Sequence, residues 1–306
     1  MTYKAKPDRT IHNSHTTKET ASQPAAPSYS DPPQVTDCLI TYPTPQILLL
    51  TLNRPAKLNS IPKSTHWQLS ALWTWYDSHP SLRCAIITGA GRAFCCGSDL
   101  LEIERAESFK AAEPGNWERA KFEHPPSGFA GLSRRKGKKP VIAAVNGLAL
   151  GGGMEIVLGC DIAVCAPEAE FGLPEPLVGV YASGGGLPRL VQMVGMAVAS
   201  DIALTGRRVS AREAKEIGMV SRFAKSKESV VEEAVEVAKT IAGISPDAIM
   251  VTRAGLREAW ETGNVEMAFQ NVHDRLNPGL ITSENHAEGL KAFREKRKPR
   301  WKDAKL

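Results

Sequence analysis

Val141-Ile-Ala-Ala-Val145-Asn146-Gly147-Leu148-Ala149-Leu150-Gly151-Gly152-Gly153-Met154-Glu155 decides how this chain folds. The apolar run Val141 to Val145 has the length and composition of a buried strand. Asn146-Gly147 turns the chain. Gly151 to Gly153 then leads into a helix from about Met154. The stretch to Gly159 is the most apolar in the chain, but Asn146, Glu155 and the glycines make it a strand, turn and helix rather than a membrane span.

The same pattern recurs on both sides. Ile47 to Leu52 reads as a strand stopped by Asn53-Arg54-Pro55. Cys84 to Thr88 is a buried strand running into Gly89-Ala90-Gly91, with a helix expected near Asp99, and Ile162 to Cys165 is a further strand. Between the first two, Ser64 is placed to cap a helix whose Leu69, Leu72, Trp73 and Tyr76 share one apolar face. Short strands alternating with turns and helices predict an α/β fold with parallel pairing. Residues 102 to 139 are polar, proline-containing and basic from Arg134 to Lys139, and read as a mobile excursion. After about residue 200 the chain turns helical. Ser210 with Glu213 makes a capping box closed by Gly218; Val230, Ala234, Val237 and Ile241 form a stripe; Ser245-Pro246-Asp247 opens another helix. Ser283 is placed to cap the last helix, with Ala287, Leu290 and Phe293 facing inward.

Composition narrows the function. The 306 residues are 42% hydrophobic and 23% charged, enough for a sizeable core, and the net charge of +5 is too small and too dispersed for a nucleic-acid surface. Cys38, Cys84, Cys95, Cys96, Cys160 and Cys165 show no metal or redox spacing and suggest buried thiols in a reducing compartment. The 7 histidines do not cluster with carboxylates at metal-ligand spacing, so no metal is expected. Residues 1 to 34 are polar and read as a disordered arm without a signal peptide. The end, Ala304-Lys305-Leu306, resembles a peroxisomal address with Ala for Ser, giving the peroxisome as expected destination and the cytoplasm as the alternative.

Three stretches carry chemistry: Ala93 to Leu100, Asn146 to Glu155, and Phe171 to Gly179. Glycine lets backbone amides approach a ligand with no Cβ in the way. A helix N-terminus presents free N–H groups and partial positive charge. Gly97-Ser98-Asp99 and Gly151-Gly152-Gly153 are two such turns, able to give one oxygen two amide donors. Glu155 follows in the first turn of its helix, either answering the dipole, forming a buried ion pair, or serving catalysis. Glu175, after Pro174, is either a solvated loop acid or a second catalytic carboxyl. The Walker-like run Gly131 to Lys138 has the wrong glycine spacing and no Ser/Thr, and reads as a basic flexible loop.

These stretches, with Leu52-Asn-Arg-Pro55-Ala-Lys57-Leu58-Asn59, Cys160-Asp161, Gly184-Gly185-Gly186 and Thr205-Gly206-Arg207, resemble the enoyl-coenzyme A hydratase/isomerase (crotonase) family from about Ile47 to Trp301. The resemblance implies a spiral of ββα units over residues 35–200 holding an acyl-coenzyme A site, and a C-terminal helical region over 201–306. It implies an oxyanion hole from the amides of Ser98 and Gly152, and Glu155 and Glu175 as the paired catalytic glutamates of a hydratase or dehydratase. Their separation of 20 residues matches that subgroup. Lys57, Leu58, Gly97, Ser98, Asp99, Leu100, Leu101 and Gly151 then line the coenzyme A groove, and Tyr181, in the stretch that replaces the family's usual proline before Gly184, either shapes the acyl pocket, hydrogen-bonds the substrate or packs. No cofactor beyond the substrate's coenzyme A is implied, and the assembly expected is a homotrimer or homohexamer. The alternatives are isomerase, decarboxylase or thioesterase chemistry of the same enolate, or a non-catalytic RNA-binding scaffold.

Overall fold

A computed structural model describes residues 31–99, 102 and 124–306. Pro32–Leu306 forms one compact unit. The arm over residues 1–34 and the helix expected near Asp99 fall largely or wholly outside the described residues, as do the site candidates Leu100 and Leu101.

Among the described residues, ten strands form two sheets. The larger holds β1 (Cys38–Thr44), β2 (Ile47–Leu52), β3 (Cys84–Gly89), β5 (Val141–Val145), β7 (Ile162–Cys165) and β10 (Arg222–Phe223) in that spatial order. All its pairs are parallel except β1 with β2. The smaller holds β4 (Ala93–Cys95), β6 (Leu148–Leu150), β8 (Glu170–Gly172) and β9 (Arg208–Ser210), with β4, β6 and β8 mutually parallel and β9 antiparallel. Consecutive strands therefore split between sheets. β3 and β4, β5 and β6, β7 and β8 are three turns of a spiral, each one position further along both sheets.

The central strands are buried on both faces, which is why they read as unbroken apolar runs. Alternation sorts their side chains. Leu48, Leu50, Ala85, Ile87, Ala143 and Val145 face the main core, which also takes Leu69, Leu72, Trp73 and Tyr76 of α1 (Lys63–Ser78). Ile47, Cys84, Ile86, Ile142 and Val164 face α5 (Val230–Ala242). The remaining α-helices among the described residues are α2 (Gly152–Gly159), α3 (Gly186–Thr205), α4 (Ala211–Glu216), α6 (Pro246–Thr262), α7 (Val265–Ile281) and α8 (Glu284–Arg294). Helix α3 is long and apolar enough to cross a membrane, but Gly195 at φ 78°, ψ 163° breaks its hydrogen-bond ladder.

Several expectations are corrected. Ser64 does not cap α1; Pro62 holds that position and Ser64 lies inside the first turn. Ser210 Oγ does accept the Glu213 amide, but the Glu213 carboxylate goes to Arg207 instead of completing a box. The buried stripe of α5 is Val230, Ala234, Ala238 and Ala242, so Val237 and Ile241 sit at its margin. Leu290 and Phe293 on α8 point outward, at 62% and 87% exposure. The described part of the basic excursion, 124–139, is packed at Arg135 and Lys139, while Arg134, Lys136 and Lys138 stay exposed. Arg135 pairs with Asp77 at 2.5 Å, and the Lys139 ammonium donates to the carbonyls of Tyr76 and His79. The C-terminal end of α1 offers free carbonyls and the negative end of its dipole, which is where cations settle. Of the six cysteines, all free, Cys84, Cys95, Cys160 and Cys165 are buried; Cys95 and Cys96 do not bridge.

Candidate active site

Strands β4, β6 and β8 lie side by side and point the same way, so their C-terminal ends open onto one edge. In parallel sheets that edge is where ligands bind. β4 ends in Gly97-Ser98, β6 in Gly151-Gly152, and β8 leads through Pro174 to Glu175. Gly97 takes φ 91° and Gly151 φ 55°, backbone that residues with a Cβ rarely adopt. The two turns touch: a Cβ on Gly97 would sit 3.3 Å from the Gly152 nitrogen.

Among the described residues, neither amide of the expected oxyanion hole meets an acceptor. Ile61 bridges to Ser98 by donating to Gly97 O (2.9 Å) and accepting from Asp99 N–H (3.3 Å). This arrangement turns the Ser98 N–H away from Ile61. Gly152 opens α2, and the first N–H groups of a helix have no intrahelical acceptor. Beside it stands the ring of Phe129, 2.5 Å at Cζ from where a Cβ on Gly152 would lie.

Glu155 is 2% exposed. Its Oε1 accepts the Gly186 amide at 2.8 Å and its Oε2 the Gly184 amide at 3.2 Å. Burial pushes this carboxyl above its ordinary range, against the downward pull of the amides of Gly186, Gly184 and Gly185. Glu175 opens a 3₁₀ turn, Glu175–Val178, and stands against Gly151, where an added Cβ would lie 2.9 Å from Oε1. Among the described residues no donor reaches its buried Oε2. Burial, then the charge of Glu155, pushes the Glu175 carboxyl up to about 7. The two acids therefore sense each other, and both are held nearer neutrality than ordinary carboxyls. Such tuning suits proton transfer at physiological pH.

The residues expected to line a groove are tied to these turns. Lys57 ends a 3₁₀ turn begun at Pro55, and Leu58 and Asn59 adopt φ 50° and 55°. Asn59 sustains this by donating to Ala90 O and Ala93 O at 2.9 and 2.7 Å. Leu58 O accepts the Cys96 amide at 3.1 Å, joining the 55–59 loop to the turn at Gly97-Ser98. Asp99 pairs with Arg54 at 3.0 Å, so its carboxylate is committed to holding that loop. Tyr181 is 68% exposed, so it does not pack into the core.

Sequence reasoning missed three neighbours. His66 on α1 is buried, its Nδ1 accepts the Ala130 amide at 3.0 Å, and its ring lies 4.4 Å from that of Phe129 and 4.8 Å from that of His124. Burial and His124 push His66 down to about 3, so it is neutral with its proton on Nε2. Phe129 and Ser133 lay in the segment read as a loop. Among the described residues, no cluster of three His, Cys, Asp or Glu could hold a metal ion.

A model of the enoyl-CoA hydratase/isomerase family matches residues 44–304. The mevalonyl-coenzyme A hydratase of Beauveria bassiana is 49% identical over 279 residues, 90% of this chain and 98% of that protein. The carnitinyl-CoA dehydratase of Escherichia coli K12 is 39% identical over 264 residues, 84% of this chain and 95% of its own. Among solved structures, enoyl-CoA hydratase subunit I of Geobacillus kaustophilus superposes with TM-score 0.77 at 33% identity, covering 88% of this chain and 98% of that one.

Proposed function

Since this chain belongs to the enoyl-CoA hydratase/isomerase family and is an acyl-CoA hydratase/dehydratase, we propose that Glu155 and Glu175 move the protons while the amides of Ser98 and Gly152 hold the thioester oxygen. The observation that carries this reading is the buried Oε2 of Glu175, which meets no donor among the described residues and lies within the field of Glu155. A carboxyl oxygen left without a donor in a dry site is costly unless a ligand or water completes it.

In hydration, water attacks Cβ as Glu155 takes its proton. The Cα=Cβ electrons shift onto the thioester oxygen as an enolate. Two amides stabilise that charge, which exists only after attack, so they lower the barrier rather than tighten ground-state binding. Glu175, half protonated near neutral pH, delivers the proton to Cα. Dehydration runs the same steps backward: Glu175 removes the Cα proton and Glu155 protonates the departing Cβ hydroxyl. The amides of Gly184 and Gly186 favour the charged form of Glu155, as a base on water needs.

For the acyl group we propose a mevalonyl-type chain, branched at Cβ and hydroxylated, on the strength of the relative at 49% identity. The neutral His66 ring beside Phe129 gives that side of the site a polar component, which suits such a chain better than a plain fatty acyl group. The homotrimer or homohexamer is likewise a proposal. Leu256, Val265, Phe269, Leu290 and Phe293 expose apolar surface on α6, α7 and α8 that a second copy would cover. Peroxisomal import through Ala304-Lys305-Leu306 is proposed on the tripeptide alone. In the folded chain Lys305 N–H donates to Asp247 and Leu306 O accepts from Lys138, so receptor capture requires these bonds to open. The test of function is a turnover screen across acyl-coenzyme A thioesters, read as a mass change of about 18 units, one water, per product. Water exchange on the branched hydroxyacyl thioester but not on a linear one supports the substrate. No exchange on any thioester overturns the reading.

A further inference from the structure

We propose that Ser133 is a positioning residue for Glu155, holding the turn whose amides grip the catalytic carboxylate. The inference rests on the role given to Glu155 above. Ser133 is fully buried, with 0% exposure, in the segment that closes the site beside Phe129. Its hydroxyl accepts the Phe129 amide at 2.8 Å and donates to Gly184 O at 2.5 Å. The directions are forced, because an amide can only donate and a carbonyl can only accept, so the one hydroxyl proton belongs to Gly184. Its main-chain carbonyl is held in turn by Arg189 Nε at 2.6 Å.

Gly184 is the point of leverage. Its N–H donates to Glu155 Oε2. Its carbonyl shares one planar peptide unit with the Gly185 N–H, and in a trans peptide the two point in opposite directions. When Ser133 fixes the carbonyl, it also fixes the Gly185 N–H on the far side, and Gly185 is among the amides that pull on Glu155. Close packing leaves no slack. A Cβ on Gly184 would lie 2.5 Å from Glu155 Oε2 and 3.0 Å from Phe129 Cβ, and one on Gly128, at φ 78°, would lie 2.9 Å from Gly184 O. A single hydroxyl thus couples the Phe129 wall beside the oxyanion amide to the cradle of the base. Its removal strands a buried N–H and a buried carbonyl together, and relaxation of the 184–186 turn is the means by which they find new partners.

The test compares wild type with Ser133→Ala, Ser133→Thr and, as reference, Glu155→Gln, in pH profiles of kcat and KM with thermal melting alongside. Misplacing a catalytic group by a fraction of an ångström is expected to lower kcat of Ser133→Ala roughly tenfold to a hundredfold while KM stays near wild type. Weaker amide support raises the Glu155 pKa further, so the acid limb of the profile moves to higher pH. Ser133→Thr keeps the hydroxyl but adds a methyl, so it disturbs packing more and bonding less. If it folds, its limb stays near wild type; should it not fold, Ser133→Cys, with a weak donor of similar size, falls between Ser and Ala. A Ser133→Ala profile that overlays wild type, whatever its melting point, overturns the proposal. If that happens while Glu155→Gln is inactive, only the role of Ser133 is lost. If Glu155→Gln hydrates normally, the role of Glu155 falls and this inference falls with it.

Discussion

Replacing Glu175 by Gln should make the protein more stable at pH 8 than at pH 5, relative to wild type, while removing its activity. Burial first, and Glu155 second, push the Glu175 carboxyl from its ordinary 4.5 to about 7. Its folded-state pKa therefore lies above the unfolded one. The protonated acid contributes stability that is complete below pH 4.5 and is lost as pH rises through about 7. At roughly 1.4 kcal/mol per tenfold, the full displacement corresponds to about 3 kcal/mol. The residue is only half-buried, and solvent screening leaves about 1–2 kcal/mol of that. Glutamine is close in size and cannot ionise, so it does not suffer this loss. Urea denaturation of both proteins at pH 5 and pH 8, at one protein concentration because assembly shifts apparent stability, measures the difference. The reasoning predicts a gap that grows by about 1–2 kcal/mol in favour of Glu175→Gln between the two pH values. A gap that is the same at both would show that the carboxyl titrates normally in the fold, and the assignment of Glu175 as a proton donor near neutral pH would lose its basis.

Other changes follow from the same geometry. Gly152→Ala places a methyl 2.5 Å from Phe129 Cζ, displaces one of the two amides proposed to hold the oxyanion, and should lower kcat/KM by about 10²–10³ with folding retained by circular dichroism. Arg54→Ala removes the bonds to Ser60 O (2.8 Å), Asp99 (3.0 Å) and Asp37 (3.2 Å), slackens the loop proposed to line the coenzyme groove, and should raise KM about tenfold with kcat little changed in steady-state assays. Asp161→Ala strands Arg253 and Arg257, which lie 2.9 Å from its carboxylate, and should cost about 3–5 kcal/mol in urea denaturation.

How much of this was legible depended on how local each signal was. β2, β3, β5 and β7 announced themselves as apolar runs because parallel strands covered on both faces have no polar alternation. The chemistry was legible for a related reason. Glycines at 97 and 151 must take backbone that other residues avoid, and a glutamate one turn into an apolar helix has few reasons to be there. The second sheet was mostly invisible, because β4, β6 and β8 are each three residues long, too short for any period to register. Arg135 and Lys139 of the basic run looked solvated because their partners, Asp77 and the carbonyls ending α1, lie about sixty residues away along the chain. His66, Phe129 and Ser133 meet only in the folded molecule. Leu290 and Phe293 obey the helical period yet face outward, since periodicity identifies an apolar face without saying what covers it.

The most direct measurement is hydration of an enoyl-coenzyme A thioester by wild type, Glu155→Gln and Glu175→Gln, followed as addition of one water by mass spectrometry. Loss of either proton carrier should slow turnover at least about a hundredfold, with thioester binding retained. Turnover at the wild-type rate by either variant would mean that water is added without that acid, and the two-carboxyl account would be wrong.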